Sequence, residues 1–325
     1  MTPMSLRKEP HLFLAPMEGV TDWAMRDLLT DVGGIDQCVT EFLRITDQLM
    51  PPSVFFKNCP ELKTQSKTRS GVPVFIQLLG GQAGPLAENA ARAAELGALG
   101  IDLNFGCPAP TVNRHDGGAT LLKSTDRIYE IVKTVRDAVP KNIPVTAKIR
   151  LGFDDPQACL ANAQAIAAAG AQWLTVHCRT KTDGYKPPAY WEWITKIKAV
   201  TPIRIVTNGE IWTVADFLKC QAAAGTDDYM IGRGALRDPF LFNRIKKVLA
   251  KTQTNEPTFL EVKSLVPSFY DSSAIYLNDQ FAVARTKGWM KQLCLSIPEF
   301  KDIFEEVKVL TKPVEFKSRL EQLLS

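Results

Sequence analysis

Residues 99–108, LGIDLNFGCP, are the stretch that decides the fold. An apolar run ends there in a turn bounded by glycine and proline, which predicts a buried strand closing on a loop. Residues 12–22, LFLAPMEGVTD, repeat the arrangement near the N-terminus. A strand that ends this way presents its last side chains to a ligand. Cys107 is therefore a candidate functional thiol, although a buried and inert cysteine is the alternative at such a position.

The same unit recurs along the chain. Eight apolar runs predict strands at Leu12–Met17, Gln37–Phe42, Pro73–Leu79, Gly100–Asn104, Pro144–Ile149, Trp173–His177, Ile203–Asn208 and Tyr229–Gly232. Helical patterns lie between them, at Pro85–Leu96, Thr125–Val139, Pro156–Ala169, Val214–Ala224 and Asp238–Ala250. Strands alternating with helices predict an α/β fold with a parallel sheet, and eight units predict a closed (β/α)8 TIM barrel. An open doubly wound sheet is the alternative, but no GxGxxG follows the first strand.

The strand and helix rhythm stops beyond about Thr252. Four helical patterns follow, at Glu261–Tyr270, Gln280–Leu293, Glu299–Leu310 and Val314–Leu324. The connections between them are short enough for antiparallel neighbours. We therefore predict a barrel domain over residues 1–250 and a C-terminal all-α helical bundle domain over residues 251–325.

Composition limits the class of protein. Seven cysteines without CxxC or Cys/His ligand spacing argue for a reducing compartment, against a disulfide framework and against a metal site. The segment Met1–Pro10 is polar, and no apolar run reaches the roughly 18 residues that a membrane span needs. We expect a cytoplasmic protein without a membrane partner. The net charge of +4 is compatible with a nucleic-acid partner but too small to demonstrate one.

In a TIM barrel the reaction site is assembled from residues at the strand ends. The candidates delivered there, in strand order, are Pro16, Met17, Glu18, Gln77, Asn104, Cys107, Lys148, His177, Arg179, Asn208, Gly209, Glu210, Gly232 and Arg233. The last two strands end in glycine turns at helix starts, where backbone N–H groups and the helix dipole bind anions. A plain helix start is the alternative for either turn alone. Together they favour a phosphate-bearing cofactor.

Several strand-end motifs resemble the signatures of the tRNA-dihydrouridine synthases, flavin enzymes that reduce uracil in transfer RNA. The motifs are Ala15–Asp22, Asn104–Pro108, His177–Thr180, Asn208–Glu210 and Gly232–Ala235. Within the family, the chain is most similar to the bacterial branch that modifies position 16 of tRNA. The segments that carry this second resemblance are Thr40–Arg44, Asp47–Leu49, Pro51, Gly117–Leu122 and Asn208–Trp212. Asp116 and Cys178 depart from the family pattern, which has Gly at the first position and Gly or Ala at the second.

The resemblance implies FMN as cofactor, NADPH as electron donor and Cys107 as the proton donor. The positions that match FMN-binding residues of the family are Pro16, Met17, Gln77, Lys148, His177, Asn208, Gly209, Gly232 and Arg233. Glu18 and Glu210, at the same strand ends, complete the expected cofactor site.

Lys148 and His177 lie in otherwise apolar strands, where an unpaired charge is costly. A flavin would compensate such a charge, because its pyrimidine edge becomes negative on reduction. A salt bridge with a strand-end carboxylate is the alternative for Lys148, and a satisfied core histidine is the alternative for His177. Gln77 carries both donors and an acceptor, which suits a ring with alternating C=O and N–H groups.

Uracil chemistry fits a thiol at this site. Hydride adds to C6 of the conjugated C5=C6 bond, and C5 must then be protonated. An unperturbed cysteine, with a pKa of about 8.5, stays protonated at neutral pH and is acidic enough for that step. The uracil must be extruded from folded RNA, and we expect Asn104, Arg179 and Tyr185 to hold its edge.

The tRNA surface is harder to predict. Residues 251–325 contain ten Lys/Arg and ten Asp/Glu, so the region is not basic. We expect Arg44, Arg285 and Lys287 to form one RNA-facing surface. The alternative is that these cations are solvated surface residues that contact no RNA. We also expect a monomer. Two other functions stay open: an FMN barrel acting on a free pyrimidine, similar to dihydroorotate dehydrogenases, and a non-catalytic RNA-binding barrel.

Overall fold

The computed structural model describes residues 9–114, 116–226 and 228–325. Within these residues the strands are β1 His11–Leu14, β2 Gln37–Val39, β3 Leu43–Arg44, β4 Val74–Leu79, β5 Ile101–Asn104, β6 Val145–Arg150, β7 Trp173–His177, β8 Arg204–Asn208 and β9 Asp228–Ile231. The first eight residues of the polar segment Met1–Pro10 lie outside the described residues.

All these strands are parallel and belong to one sheet. They follow the order β2-β1-β9-β8-β7-β6-β5-β4, and a pairing of β2 with β4 closes the ring. The two-residue strand β3 pairs with the end of β4 outside this ring. The predicted (β/α)8 barrel is therefore confirmed. Strands β1 and β2 end at Leu14 and Val39, about three residues earlier than expected. Ala15 and Thr40 each donate one more hydrogen bond to a neighbouring strand, and Pro16 has no N–H with which to continue the first ladder.

Helices surround the barrel and form its C-terminal extension. Their bounds are α1 Trp23–Val32, α2 Pro52–Asn58, α3 Ala83–Glu95, α4 Pro110–Asn113, α5 Thr125–Ala138, α6 Ala158–Ala168, α7 Trp193–Val200, α8 Val214–Ala224, α9 Arg233–Arg237, α10 Leu241–Leu249, α11 Phe259–Val262, α12 Leu265–Tyr276, α13 Asp279–Leu293, α14 Phe300–Val307 and α15 Pro313–Leu324. Helix α8 shows the local logic: Thr213 and Asp216 form a reciprocal capping box, and Gly225 ends the helix at φ +58°.

The barrel interior changes character along its axis. Its lower layer is an apolar cluster made of Phe13, Ala15, Val39, Phe75, Trp173, Val206 and Met230. Side chains two residues further along a strand lie on the same face, so the next layer is formed by residues such as Gln77 and Asn208. The strand register aligns Gln77 with Asp102 and Asp102 with Thr146. A polar layer thus lies on an apolar floor at the C-terminal end of the barrel.

Residues 251–325, all of which the structure describes, form five helices where the sequence predicted four. The expected helix Glu261–Tyr270 is divided into α11 and α12, and α12 continues to Tyr276. The indole of Trp289 donates a hydrogen bond of 3.0 Å to the carbonyl of Leu236 in the barrel. The domain division at residue 250 stays a prediction. Among the described residues, every helix is too short or too polar to cross a membrane.

Candidate active site

A cavity of about 400 Å³ opens at the C-terminal ends of the strands. It brings together most of the residues selected from the sequence: Pro16, Met17, Glu18, Gln77, Asn104, Cys107, Lys148, His177, Arg179, Tyr185, Asn208, Gly209, Glu210, Gly232 and Arg233. Arg44, Arg285 and Lys287 do not line it. The convergence follows from the topology, since the carboxyl ends of all parallel strands meet at one rim.

Cys107 lies on a loop that the protein holds from both sides. Its backbone N–H donates to Asn104 Oδ1 at 3.0 Å, and the N–H of Gly106 donates to the same oxygen at 2.9 Å. The Cys107 carbonyl accepts from Ala119 N at 3.0 Å. Burial raises the pKa of the Cys107 thiol, and the nearby Glu18 carboxylate raises it further. The thiol is therefore protonated at neutral pH and is suited to donate a proton.

Lys148 places a buried amine in the polar layer. Its Nζ donates to Asn208 Oδ1 at 3.0 Å, while Asn208 Nδ2 donates to the carbonyl of Met230 at 2.8 Å. Burial and the charge of Arg150 lower the pKa of Lys148 to about 8, although Asp102 favours the cation. The salt bridge considered for Lys148 is absent among the described residues, because the neutral amide of Asn208 takes that place.

His177 is held in its neutral form and adds no second positive charge to the polar layer. Burial lowers its pKa well below the usual value, and Arg150, Lys148, Arg179 and Arg233 add repulsion in the same direction. Its Nε2 lies 3.4 Å from Arg179 Nη1. A neutral imidazole can offer one donor and one acceptor to a ligand.

Glu210 joins two arginines at the rim. One of its oxygens lies 2.6 Å from Arg179 Nη2 and 3.5 Å from Arg233 Nη2. The Arg179 side chain is fully buried and supports Glu210, while its expected contact with a uracil edge stays a prediction. Arg233 keeps 39% of its side chain exposed, which leaves its guanidinium accessible to an anion.

The two glycine turns lie close to neighbouring side chains of the cavity. A Cβ on Gly232 would lie 3.2 Å from the sulfur of Met17. A Cβ on Gly209 would lie 3.1 Å from the His177 ring, and Gly209 has a φ of +125°, which side-chain-bearing residues rarely adopt. Both glycines line the cavity, and a side chain at either position would crowd Met17 or the His177 ring.

Tyr185 forms an exposed cover beside the cavity. More than half of its surface is accessible, and its ring lies 5.1 Å from the guanidinium carbons of both Arg150 and Arg233. Arg150 also donates to the carbonyl of Gly106 at 2.9 Å and to that of Gly184 at 2.8 Å. The loop of Tyr185 and the loop of Cys107 are thus fixed to one buried cation.

Several cavity residues were missing from the predicted site. Glu41, which follows β2, accepts a 2.9 Å hydrogen bond from Val20 N, and burial raises its pKa to about 7. Its position near the end of the predicted strand Gln37–Phe42 was a usable signal. Trp212 lies 4.6 Å from the Arg233 guanidinium, measured from the ring centroid. Gln292 reaches the cavity from α13, and nothing in its local sequence indicates this placement.

Two expected RNA contacts are engaged inside the protein. Arg285 Nε lies 2.7 Å from Asp22 Oδ2, and its guanidinium also donates to the carbonyl of Val20. Lys287 Nζ donates to the carbonyl of Lys308 at 2.8 Å, near the end of α14. The expectation that these two cations form a free surface for phosphate is therefore corrected. Arg44 donates a long hydrogen bond of 3.4 Å to the Thr111 carbonyl and is partly exposed.

The structure shows the local surroundings of Asp116 and Cys178, the two residues that depart from the family pattern. Asp116 adopts φ +59°, a conformation that glycine takes without strain, and its carboxylate lies 2.5 Å from Arg127 Nη1. Cys178 is fully buried, and its Sγ lies 3.6 Å from the carbonyl of Val176.

The family model for dihydrouridine synthase (Dus) matches residues 13–324. A tRNA-dihydrouridine(16) synthase of Pseudomonas putida is 47% identical over 295 residues, which are 91% of each chain. The same-named protein of Ralstonia nicotianae is 44% identical, over 97% of this chain and 96% of the relative.

Among solved structures, a 2-naphthoyl-CoA reductase complex superposes with a TM-score of 0.56 at 13% identity. The match covers 74% of this chain and 50% of that one, and it shows a shared fold alone. The family match, by contrast, spans both the strand-end cavity and the C-terminal helices, and the relatives align over nearly their whole length. The chain therefore belongs to the dihydrouridine synthase family.

Proposed function

We propose that this protein reduces the uridine at position 16 of tRNA to 5,6-dihydrouridine, with FMN as cofactor and NADPH as electron donor. Family membership makes the chain a flavin-dependent oxidoreductase of tRNA. The observation that carries the finer proposal is the placement of a protonated thiol, Cys107, in a cavity that also holds the expected cofactor residues. Position 16 is supported by relatives 41–47% identical to this chain that are named tRNA-dihydrouridine(16) synthases.

The cavity residues fit FMN. The volume of about 400 Å³ lies within the range of small-ligand sites. The glycine turns at Gly209 and Gly232 and the exposed guanidinium of Arg233 suit a phosphate, while Lys148 and Gln77 offer a cation and an amide to a polar ring. When bound and reduced, FMN supplies the hydride that adds to C6 of uracil.

Cys107 completes the reaction by protonating C5. Its raised pKa keeps the proton on sulfur until a strongly basic, carbanion-like carbon is nearby. Asn104 Oδ1 fixes the Cys107 loop by accepting two backbone hydrogen bonds. Asn104 Nδ2 donates one hydrogen to Gln77 Oε1, which leaves its second amide hydrogen for a uracil carbonyl. The exposure of the Tyr185 ring at the cavity supports a role for it in stacking on the extruded base.

Arg44 is the remaining candidate for a tRNA phosphate contact among the three cations selected for that role. It is partly exposed and outside the cavity, and it has no carboxylate partner among the described residues. Reduction of a free pyrimidine and RNA binding without catalysis are both disfavoured by the family assignment.

Mapping of dihydrouridine by mass spectrometry tests the proposal directly. tRNA from a strain lacking this protein should lose the modification at position 16 and keep it elsewhere. The wild-type gene should restore it, and a Cys107→Ala gene should not. In vitro, unmodified tRNA with FMN-loaded enzyme should consume NADPH and gain two mass units per tRNA. Unaltered modification at position 16 in the deletion strain would refute the substrate position.

A further inference from the structure

We propose that Asp102 is a positioning residue that fixes the amide orientations of Gln77 and Asn104, and through them the Cys107 loop. Asp102 lies in the barrel interior below the cavity and does not line it. This inference rests on the proposed function, because it assigns a role within that same site.

The argument begins at the fixed end of a chain of hydrogen bonds. The backbone N–H groups of Gly106 and Cys107 can only donate, so the Asn104 atom that faces both, at 2.9 and 3.0 Å, must be its oxygen. The Asn104 amide nitrogen then faces Gln77, at 2.8 Å, and requires the Gln77 oxygen there. Each orientation follows from the one before it.

The chain ends on a carboxylate. Gln77 Nε2 must point the other way, and it donates to Asp102 Oδ2 at 2.7 Å. The second oxygen of Asp102 accepts from Thr146 Oγ1 at 2.6 Å. The Asp102 carboxylate at one end and the two backbone N–H groups at the other end therefore select the same amide orientations. A flip of either amide would place donor against donor or acceptor against acceptor.

A consequence for recognition follows from the same count of hydrogens. Gln77 Nε2 and Asn104 Nδ2 each use one hydrogen inside the chain and keep one. Both residues line the cavity, toward which these remaining hydrogens are directed in the proposed arrangement. The Asp102 chain thereby prepares this side of the site for carbonyl oxygens, which both a flavin ring and uracil carry.

Paired variants separate orientation from charge. Asp102→Asn keeps an acceptor for Gln77, because the oxygen of the new amide can face Gln77 while its nitrogen donates to Thr146 Oγ1. The Thr146 hydroxyl can then donate its own hydrogen to the Ile101 carbonyl, which lies 3.3 Å away. Asp102→Ala removes the acceptor. Thr146→Val is the matched control, because it deletes a buried hydrogen bond to the same carboxylate outside the chain to Cys107.

We expect Asp102→Ala to lower kcat for tRNA reduction by about tenfold to a hundredfold, the equivalent of one lost hydrogen bond to a charged group, with KM for tRNA nearly unchanged. Asp102→Asn and Thr146→Val should stay within about threefold of wild type on the same scale. An Asp102→Asn variant as impaired as Asp102→Ala would overturn the proposal, since charge and not orientation would then be responsible.

A second measurement does not depend on tRNA. Exchange of the amide hydrogens of residues 105–107 should accelerate in Asp102→Ala and stay at the wild-type rate in Asp102→Asn and Thr146→Val. If Asp102→Ala fails to fold, Asp102→Ser takes its place. Serine is shorter than aspartate and does not reach Gln77, so this variant also lacks the acceptor. Unchanged exchange in a folded variant without the acceptor refutes the proposal. A wild-type protein that leaves tRNA unreduced refutes the proposed function instead.

Discussion

The strand-end rim and helix α13 both carry cations, but the two regions use them differently. At the rim, Lys148 and Arg233 face a cavity, and Lys148 has only a neutral amide as its hydrogen-bond partner in the described structure. On α13, Arg285 forms an ion pair with the Asp22 carboxylate, and Lys287 donates to a backbone carbonyl at the end of α14. A charge is thus available to a ligand where the fold converges on a cavity. A charge on a helix is available only where no neighbouring element covers it.

The largest expected effect belongs to the rim. Replacing Cys107 by Ala removes the acid, and we expect tRNA reduction to fall by about 10²- to 10⁴-fold while NADPH still reduces the bound flavin. Stopped-flow absorbance measures the two half-reactions separately. Cys294→Ala is the control, since that partly exposed cysteine lies on the helical side of the molecule. Normal tRNA reduction by the Cys107 variant would require another proton donor.

On the helical side, the expected effect is on stability. The Arg285 and Asp22 side chains are 11% and 6% exposed, so Arg285→Ala leaves a largely buried carboxylate unpaired and should cost about 3 kcal/mol of unfolding free energy. Urea denaturation measures this cost. Adding Asp22→Asn should recover part of it, because asparagine retains the N-cap of α1. Exposed Lys291→Ala on the same helix should change stability by less than about 0.5 kcal/mol. A similar loss in both single variants would contradict the contrast between regions.

Arg233 tests whether the rim binds the cofactor phosphate. Arg233→Ala should weaken FMN binding by about 1.5–3 kcal/mol, because a charge-assisted contact is lost. Arg237→Ala is a close control, since the Arg237 guanidinium also lies over the Trp212 ring, 4.0 Å from its centroid, but does not line the cavity. FMN titration followed by fluorescence gives both affinities. Equal weakening in the two variants would indicate a general electrostatic effect.

Lys148 should make FMN affinity depend on pH. Its pKa of about 8 means that the cation is present below that pH and is lost as the pH rises through it. We expect FMN binding to weaken by about tenfold between pH 7 and pH 9.5, the size of one charge-assisted contact. Lys148→Met should bind more weakly at pH 7 and show no such transition. A wild-type affinity that stays constant over this range would remove the ammonium group from the binding site.

The smallest expected effect concerns Arg44. Arg44→Ala should reduce the slope of log affinity for tRNA against log salt by about 0.7–0.9, the contribution of one phosphate contact. Flavin content should not change, since Arg44 does not line the cavity. Arg92→Ala on α3 is the control, because Arg92 already pairs with Glu95. An unchanged slope would remove Arg44 from the tRNA surface.

The barrel and the residues at its C-terminal strand ends were predictable, because the carboxyl ends of parallel strands all lie on one side of the barrel. Once the eight apolar runs were identified, Gln77, Cys107 and Lys148 had to meet, whatever the intervening helices did. Glu41 carried the same signal and was overlooked. Gln292 and Arg285 could not be placed this way, since a helix pattern shows which face is apolar but not which surface that face will meet.

The ion pair between Arg285 and Asp22 also constrains how this chain can evolve. The two residues are 263 positions apart in sequence, yet neither tolerates the loss of the other without leaving a mostly buried charge. A step that costs about 3 kcal/mol is a large part of the 5–15 kcal/mol that keeps a typical protein folded. Descendants should therefore change both positions or neither, and substitutions at residue 22 should covary with those at residue 285.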